Sequence, residues 1–589
     1  MTSLNAVKPN RKTPVLPNLS QAAFPIPPLT GYDLIVIGSG PGGEACAVRA
    51  AQLGKRVAIV EKKAAFGGPT GLTSKAVREA TKRIVRAVDQ IGGDRRRQVR
   101  GLWKRSFPIL KTEAEVLQVV ETRDKLSKCG VDLFVGTSEF VNTSLGADIF
   151  PSMSGVSDGQ TVLRVCRKDE ECIDIPANHI VIATGSRPNK PETVYPNPGA
   201  PTLPFETSSR IVTASEMGQL KELPNAVAIF GGGVIAVEYA TVLAELGVGV
   251  SLICPEECFM PFLETEMRDK LKKRMKAGHV LFVHEKIKEI KVGLDDSTEP
   301  LKVVLEPRVL PRSSSPSSSR TLPERCLTVD LLLYSGGRNA NSEGLGLGNV
   351  GIQTSKYGRI VVDDTYRCVL ATGVGSRSLY AIGDCNGSGL ASEAQQQGRG
   401  VAESLFGGEE DEYDGDIDDV GVDEEEEDTM IEADPFFSAS SGVNETGEPD
   451  SSTSTLFGGA SADTPLTLWT IPEIASVGLT SEQAKAKYPS DAIVEGYGYF
   501  KDMARGRLNG DMEGYLKVVA RKSRHKHNIL GVQIMGDGAN ELIQLGSILV
   551  HSSATLEQVS RTPFAAVTLS ALLQMACDDA LLLIRSKKM

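Results

Sequence analysis

Two stretches of the 589-residue chain repeat one pattern of apolar and polar positions. Each begins with a short apolar run rich in β-branched residues, turns through glycines, continues with small residues at helical spacing and ends in a second apolar run. The two stretches are YDLIVIGSGPGGEACAVRAAQLGKRVAIVEK at 32–62 and NAVAIFGGGVIAVEYATVLAELGVGVSLICPE at 225–256. This pattern predicts a strand, a glycine turn, a helix and a second strand, present twice.

The glycines of the first copy have the spacing of a dinucleotide-binding turn. Gly38 makes the tight turn, Gly40 lets the backbone approach a pyrophosphate, and Gly43 lets the helix pack closely on the strand. The helix N-terminus offers free N–H groups to the anion. Glu61, 23 residues after Gly38, stands where a carboxylate can bind both hydroxyls of an adenosine ribose. A glycine-rich turn of another α/β domain is the alternative.

The second copy keeps the turn but lacks the acid. Its three turn positions are Gly231, Gly233 and Ala236. A count of 23 residues from Gly231 ends on Cys254, and Glu256 and Glu257 follow closely. The first arginine after Cys254 is Arg268. Carboxylates would repel a 2′-phosphate, so the electrostatics favour NAD(H) over NADP(H).

Two shorter motifs follow the same logic. HIVIATGSRPNKP at 179–191 predicts a strand that ends in a turn at Thr184 and Gly185. SLYAIGDCNGSGLASEAQQQ predicts a strand, then Gly383 and Asp384, then a helix. An acid in that place binds a ribitol hydroxyl or caps the helix.

Charge and cysteine content exclude several function classes. The net charge is −11, but 409–434 carries 16 acids and no base, and the remaining chain has 64 bases against 59 acids. No apolar run reaches the roughly 18 residues of a membrane span. Ten cysteines without a C-x-x-C pair indicate a reducing compartment and no zinc site. The basic run at 94–105 is read as a solvated helix end, so no nucleic-acid partner is expected.

Two segments are predicted to be disordered. Residues 1–30 form a proline-containing leader, either a cytoplasmic tail or a transit peptide for a mitochondrion or plastid. Residues 407–464 form an acidic, then serine-rich, insert that acts as a solvated spacer or binds an unknown partner.

With four motifs in this order, the chain resembles the FAD-dependent pyridine nucleotide–disulfide oxidoreductase family. The stretches WTIPEIASVGLTSEQAKAK and LGVQIMGDGANELIQLGSILV look like that family's dimerisation domain. The resemblance implies an α/β fold with two Rossmann-like domains, for FAD and NAD(P), a C-terminal α+β interface domain and a homodimer. The implied boundaries are 31–211 and 350–406 for the FAD domain, 212–349 for the NAD(P) domain and 465–589 for the interface domain.

The resemblance also implies the site residues. FAD is expected on Gly38, Gly40, Gly43, Glu61, Lys62, Gly68, Lys75, Thr184, Gly185, Gly383 and Asp384. The nicotinamide dinucleotide is expected on Gly231, Gly233, Ala236 and Gly337. Glu238 stands where the family's glutamate pairs with a lysine beside the flavin, here Lys75, and these two are the expected catalytic residues. No metal site is implied.

The chain departs from the family at the redox-active cysteine pair. The segment AAFGGPTGLTSKAVREA keeps Gly67, Gly68, Ser74 and Lys75, but is four residues shorter and contains no cysteine. Near the C-terminus Ala566 replaces the family's acid/base histidine. Hydride transfer between nicotinamide and flavin needs no thiol, so dithiol chemistry is not expected.

The family branch most similar to this chain transfers hydride between NAD(H) and NADP(H) through FAD. SKAVREATKRI and LLYSGGRNANSEGLGL carry that similarity. Two alternatives remain: an NAD(P)H-oxidising flavoprotein with a quinone, dye or oxygen as acceptor, and a catalytically silent FAD-binding scaffold.

Overall fold

The computed structural model describes residues 31–408 and 464–586, except 69–71, 92, 142–159, 168–171, 294–299, 308, 312–318, 322 and 525. The predicted leader, nearly all of the acidic insert and three residues of the shortened redox segment therefore lie outside the described residues. Within the described ranges, none of the helices combines the length and apolarity that a bilayer crossing needs.

The chain contains 25 strands and 12 α-helices within these ranges. Up to the first domain crossover the elements are β1 (Tyr32–Ile37), α1 (Pro41–Gln52), β2 (Val57–Glu61), α2 (Leu72–Ile91), α3 (Arg95–Lys128), β3 (Asp132–Val135), β4 (Thr137–Phe140), β5 (Thr161–Cys166), β6 (Cys172–Ile182) and β7 (Ser186–Pro188).

The middle part of the chain continues with shorter elements. They are β8 (Ile211–Val212), α4 (Ala214–Met217), β9 (Ala226–Phe230), α5 (Val234–Glu245), β10 (Gly249–Ile253), α6 (Thr265–Ala277), β11 (Leu281–Val283), β12 (Ile287–Lys291), β13 (Leu301–Leu305), β14 (Val309–Pro311), β15 (Ser319–Thr321), β16 (Arg325–Val329), β17 (Leu331–Tyr334) and β18 (Arg338–Ala340).

The last part returns to the first domain and then forms the third. Its elements are β19 (Arg367–Val369), β20 (Gly375–Ala381), α7 (Ala391–Phe406), β21 (Leu466–Leu468), β22 (Ile474–Gly478), α8 (Ser481–Lys487), β23 (Ile493–Tyr499), α9 (Ala504–Asn509), β24 (Tyr515–Lys522), β25 (His527–Met535), α10 (Ala539–His551), α11 (Leu556–Arg561) and α12 (Ala571–Ser586).

The predicted repeat forms two separate sheets, each with a parallel core; in the first sheet β19, β4 and β5 add antiparallel pairs. The first has the order β19-β20-β6-β1-β2-β3, with β4 and β5 at its margin, and the second has the order β11-β10-β9-β17-β8. Strands β1 and β9 lie inside their sheets, and Ile35 and Ile229 in them are fully buried, as expected for strands covered on both faces. The two Rossmann-like domains are confirmed.

The C-terminal domain is a five-stranded antiparallel sheet with helices against it. Its strand order is β21-β22-β25-β24-β23, and α10, α11 and α12 pack with it around a separate apolar core. This α+β arrangement confirms the predicted third domain.

Helix α3 connects the first two domains. Its Trp103 and Phe107 are buried, stack with ring centroids 4.2 Å apart and join the core of the second domain. Near its other end Leu126 belongs to the core of the first domain. The Arg100 guanidinium donates to Pro224 O at 2.9 Å. The basic run was predicted to be a solvated helix end; it instead contacts the second domain.

A disulfide joins Cys166 and Cys172, which face each other across the β5–β6 pair. The sequence predicted thiols in a reducing compartment, and for these two cysteines the structure corrects that prediction. Their spacing is uninformative in sequence, because only the antiparallel register brings them together. Strand β6 has 11 residues, so Cys172 lies roughly 30 Å from the end of β6 that carries the predicted binding residues.

Candidate active site at the two dinucleotide turns

The first turn requires glycine at two positions. Gly38 has φ +101°, and a Cβ there would lie 2.5 Å from Ala183 O. A Cβ on Gly43 would lie 2.0 Å from Gly38 O. Since Cβ atoms do not approach carbonyl oxygens this closely, α1 can pack on β1 only with glycine at these positions.

Glu61 is fixed beside this turn at the end of β2. Its Oε2 accepts hydrogen bonds from Ser39 N at 3.0 Å and from Ser39 Oγ at 2.6 Å. The carboxylate is therefore oriented before any ligand binds, and its Oε1 accepts a longer hydrogen bond from Lys63 N at 3.4 Å. Lys62 follows it at an exposed position.

The other predicted FAD residues of the first domain surround the same turn. A Cβ on Gly38 would lie 3.2 Å from Thr184 Cα, and one on Gly68 3.3 Å from Gly40 Cα. By contrast, a Cβ on Gly40 or on Gly185 would meet nothing within 4 Å. Bare backbone therefore faces open space at the N-terminus of α1, which is the form that a pyrophosphate-binding cradle takes. The residues present fit FAD.

Gly383 and Asp384 complete this crevice from the other side. Gly383 has φ +73°, and the Asp384 carboxylate accepts a hydrogen bond from Ser186 Oγ at 2.5 Å. Asp384 is thus a hydrogen-bond acceptor for a neighbouring side chain. It is not the N-cap of α7, which is Leu390. The helix-capping alternative is therefore wrong.

Glu393 is a buried carboxyl group next to the same crevice. It is 8% exposed, accepts from Gln397 Nε2 at 3.3 Å, and its Oε2 has no hydrogen-bond partner among the described residues. Burial, together with the charge of Asp384, raises the pKa of Glu393 to about 8. The side chain is therefore largely protonated at neutral pH and adds no full negative charge beside the pyrophosphate cradle.

The second turn repeats the first with small changes. Gly231 has φ +122°, and its Cβ would lie 2.8 Å from Ser335 O. Gly233 faces open space, whereas Ala236 is fully buried against the strand. Gly337 follows strand β17 near this turn, and its carbonyl accepts from Asn189 N at 3.1 Å.

Cys254 occupies the position of the missing acid, beneath the second turn. A Cβ on Gly232 would lie 2.2 Å from Cys254 Sγ, so the thiol packs directly under the glycines. Burial raises the pKa of the Cys254 thiol to about 12. A protonated, buried thiol is a poor nucleophile, which supports packing as its role.

The predicted catalytic pair lies where the three domains meet. Glu238 on α5 is 8% exposed, and its Oε1 accepts from Trp469 N at 2.9 Å. Lys75, in the first turn of α2, lies over the Trp469 ring with Nζ 5.4 Å from the centroid. Burial lowers the Lys75 pKa, and the charge of Glu238 opposes this shift. Burial raises the Glu238 pKa, whereas its hydrogen-bond donors and the charge of Lys75 lower it. The two groups are therefore electrostatically coupled.

The shortened redox segment is anchored to α3. Gln118 Nε2 donates to Gly67 O at 2.9 Å and to Gly68 O at 3.0 Å. These bonds hold the two glycines against the first dinucleotide turn. The described side chains also include no group of three or more His, Cys, Asp or Glu residues arranged to hold a metal ion.

Sequence reasoning missed four residues that shape the site: Ser39, Arg338, Glu393 and Trp469. Arg338, the first residue of β18, donates through Nε to Ser186 Oγ at 2.7 Å and lies 3.7 Å from Asp384. It therefore connects β18 to the predicted FAD residue Asp384. Ser39 sits inside the first glycine motif and could have been considered as a partner of Glu61. The contacts of Arg338 and Trp469 join segments far apart in the chain, whereas Glu393 contacts Gln397 of its own helix.

Comparisons with known proteins agree with this architecture. The family described as pyridine nucleotide-disulphide oxidoreductase matches residues 32–398, and its dimerisation domain matches 464–577. The soluble pyridine nucleotide transhydrogenase of Hahella chejuensis is 30% identical over 93% of this chain and 98% of its own. The protein of that name from Pseudomonas aeruginosa strain LESB58 is 28% identical, with the same coverage.

Two solved structures share the fold. The HOCl-induced flavoprotein disulfide reductase RclA from Escherichia coli has a TM-score of 0.64 at 20% identity and covers 93% of this chain and 99% of its own. LpdA from Mycobacterium tuberculosis has a TM-score of 0.66 at 21% identity, covering 92% and 99%. With both family domains matched, the chain belongs to the pyridine nucleotide-disulphide oxidoreductase family and is an FAD-dependent oxidoreductase of nicotinamide dinucleotides.

Proposed function

We propose that this enzyme transfers hydride between NAD(H) and NADP(H) through FAD, without a cysteine pair in the electron path. The observation that carries the proposal is the redox segment, which keeps the glycines and Lys75 of the family pattern but has no cysteine. The name of the relatives that match nearly the whole chain supports it. The described disulfide, Cys166–Cys172, lies at the far end of β6, which is too distant for exchange with the flavin.

Each dinucleotide turn takes one role in this proposal. The first, with Glu61 on the ribose and Asp384 on the ribitol, holds FAD, and the second holds the nicotinamide coenzyme. When bound, FAD supplies a hydride acceptor and donor. Val234, the first residue of α5, is small enough to leave room for the nicotinamide beside the second turn.

Lys75 and Glu238 position and polarise the flavin in this proposal. The pair sits among Trp469 and the start of α2, away from bulk water, where charges interact strongly. A lysine ammonium held by Glu238 can favour the reduced, electron-rich form of the bound group. Burial lowers the Lys75 pKa, and the charge of Glu238 opposes this shift.

We also propose that the enzyme acts as a homodimer through its C-terminal domain. Exposed apolar side chains occur on two helices of that domain, namely Leu545, Ile548, Leu582 and Leu583. Exposed apolar side chains of this kind are typical of an interface between subunits.

Anaerobic stopped-flow absorbance tests the proposed function. FAD-loaded enzyme is mixed with NADH or with NADPH, and then with the thio-analogue of the opposite oxidised coenzyme. The proposal expects the flavin band to bleach with both reduced coenzymes and the thio-analogue to become reduced. Turnover only with a quinone or oxygen would instead indicate an NAD(P)H-oxidising flavoprotein, and an unbleached band would indicate a silent scaffold.

A further inference from the structure

The repeat locates the adenosine end of the second nucleotide site by strand register. In each unit the residue before the first glycine pairs with the last paired residue of the next strand, Val60 in the first and Ile253 in the second. Glu61 and Cys254 follow these residues and are therefore structurally equivalent. The ribose that Glu61 would bind in the first unit has its counterpart beside Cys254 in the second.

The neighbouring strand brings a basic residue to this position. In the first unit Glu61 pairs with the apolar Val135 of β3. In the second unit the register of β10 with β11 places His284 beside Cys254, and its ring Nδ1 lies 2.9 Å from Cys254 O. A buried valine has thus been replaced by an imidazole at the edge where the ribose would lie.

His284 belongs to a small ionic cluster with Glu256 and Lys272. The Glu256 carboxylate accepts a hydrogen bond from Lys272 Nζ, and its other oxygen lies 3.2 Å from His284 Nε2. The Glu256 side chain is 64% exposed, whereas those of Lys272 and His284 are 14% and 32% exposed. The acid can move into solvent, but the lysine and the imidazole are held by packing.

A second lysine lies close to Glu256. Lys272 Nζ lies 5.4 Å from the centroid of the Phe282 ring, and Lys276 Nζ lies 5.7 Å from it. The hydrogen bond from Lys272, with its charge and those of His284 and Lys276, holds the pKa of Glu256 below its ordinary value. Glu256, expected from sequence to repel a 2′-phosphate, is instead already paired with Lys272.

We propose that Lys272 and His284 bind the 2′-phosphate of NADP(H) by displacing Glu256, which returns to accept the ribose hydroxyls when NAD(H) binds. This proposal rests on the proposed function, which requires the second unit to accept both coenzymes. A phosphate dianion offers more charge and more acceptor oxygens than a carboxylate, so it replaces Glu256 on the two donors. The site needs no arginine after β10, because its cations come from α6 and from the end of β11.

Isothermal titration of the FAD-loaded protein tests the exchange with two ligands that lack nicotinamide. Adenosine 2′,5′-bisphosphate probes the phosphate state and adenosine 5′-monophosphate the hydroxyl state. Lys272→Gln should weaken the bisphosphate about tenfold or more, the loss of one charge-assisted bond, and change the monophosphate less than about threefold. Lys272→Arg should retain bisphosphate binding, and Glu256→Gln should strengthen it while weakening the monophosphate.

Lys273→Gln is the matched control, because Lys273 is an exposed neighbour on the same helix. FAD content and melting temperature report whether each variant is folded. The proposal is overturned if the wild-type protein does not bind the bisphosphate, or if Lys272→Gln affects both ligands equally. These binding measurements do not depend on hydride transfer. If Lys272→Gln weakens only the bisphosphate but the wild-type enzyme does not catalyse transhydrogenation, only the proposed function is rejected. If the enzyme catalyses transhydrogenation but Lys272→Gln does not weaken the bisphosphate selectively, only this exchange is rejected.

Discussion

The two dinucleotide units share a backbone and differ in how they treat the ligand. Gly38 N donates to Val60 O at 2.8 Å, and Gly231 N donates to Ile253 O at 3.0 Å, so both turns leave their strands identically. The first unit then presents Glu61 fixed by Ser39. The second presents a buried thiol and an exposed carboxylate that is paired with Lys272 and lies 3.2 Å from His284 Nε2.

This difference suits the first unit to a cofactor that stays bound and the second unit to a coenzyme that exchanges. A carboxylate that is oriented in advance costs little entropy when it binds a ribose, which suits a cofactor that stays bound. In the proposed function, an exposed carboxylate paired with Lys272 binds a ribose more weakly, which suits a coenzyme that must leave after each turnover. The same supersecondary unit thus serves both tasks through a few residues at the strand ends.

The largest effect is expected from Gly43→Ala. Its Cβ would lie 2.0 Å from Gly38 O, so α1 must move away from β1 and the pyrophosphate cradle opens. The second unit already carries Ala236 at this place, so Ala236→Gly is the matched control. We expect Gly43→Ala to be purified without FAD, measured as the 450-nm absorbance after gel filtration, and the control to retain it. Full flavin content in Gly43→Ala would show that the first turn tolerates the side chain.

Glu61→Ala should have the next largest effect. Removing the carboxylate deletes two charge-assisted bonds to a ribose, which corresponds to about a 100-fold loss of FAD affinity. The measurement is a fluorescence titration of the FAD-free protein with FAD. An affinity within threefold of wild type would mean that FAD is not held at this strand end.

Glu238→Gln should slow the reduction of the flavin by about tenfold. The equivalent residue of α1 is Ala45, so only the second unit carries a charge at this helix position. Without the carboxylate, nothing of equal strength opposes the desolvation that lowers the Lys75 pKa. Stopped-flow reduction by NADH measures the rate, and the pH at which it falls should move downwards. An unchanged rate and pH profile would remove Glu238 from the mechanism.

Glu393→Gln should alter how stability depends on pH. The folded pKa of Glu393 is about 8, whereas an unfolded glutamate ionises near about 4.3. Between these values the folded state keeps a proton that the unfolded state has lost, so stability falls as pH rises. Glutamine cannot ionise, so the melting temperature of the variant relative to wild type should be higher at pH 8 than at pH 5. A difference that is the same at both pH values would contradict a protonated Glu393.

Cys254→Ala should have the smallest effect. The thiol is buried and protonated, so its loss removes only packing beneath the second turn. NADH and NADPH should each reduce the flavin within about twofold of the wild-type rate, measured by stopped flow. A larger change would give the thiol a role that its burial does not predict.

The sequence predicted the parts of the site whose chemistry is local. Gly38 and Gly231 adopt positive φ, and such positions follow directly from glycine spacing in a strand–turn–helix unit. Glu61 and Cys254 were located by counting 23 residues from the first glycine of each unit. This count works because the combined length of the turn, helix and second strand is nearly constant in this unit.

The parts that sequence reasoning missed depend on contacts between distant segments. Lys272 reaches Glu256 from the next helix, and Arg338 reaches Asp384 from another domain. Cys166 meets Cys172 only through strand register. The expectation of NAD(H) over NADP(H) was based on Glu256 and Glu257 and on the lack of an arginine at 254–267. It missed Lys272, which lies 16 residues after Glu256 and pairs with it.

Helix α3 sets a mechanical limit on how far the coenzyme and flavin domains can separate. Its 34 residues correspond to about 50 Å, with one end embedded beside Asn225 and the other beside Glu44. A rod clamped at both ends resists hinge opening unless it bends, and Pro108 interrupts its hydrogen-bond ladder. In the proposed function, α3 therefore limits how far the two dinucleotide turns can move apart.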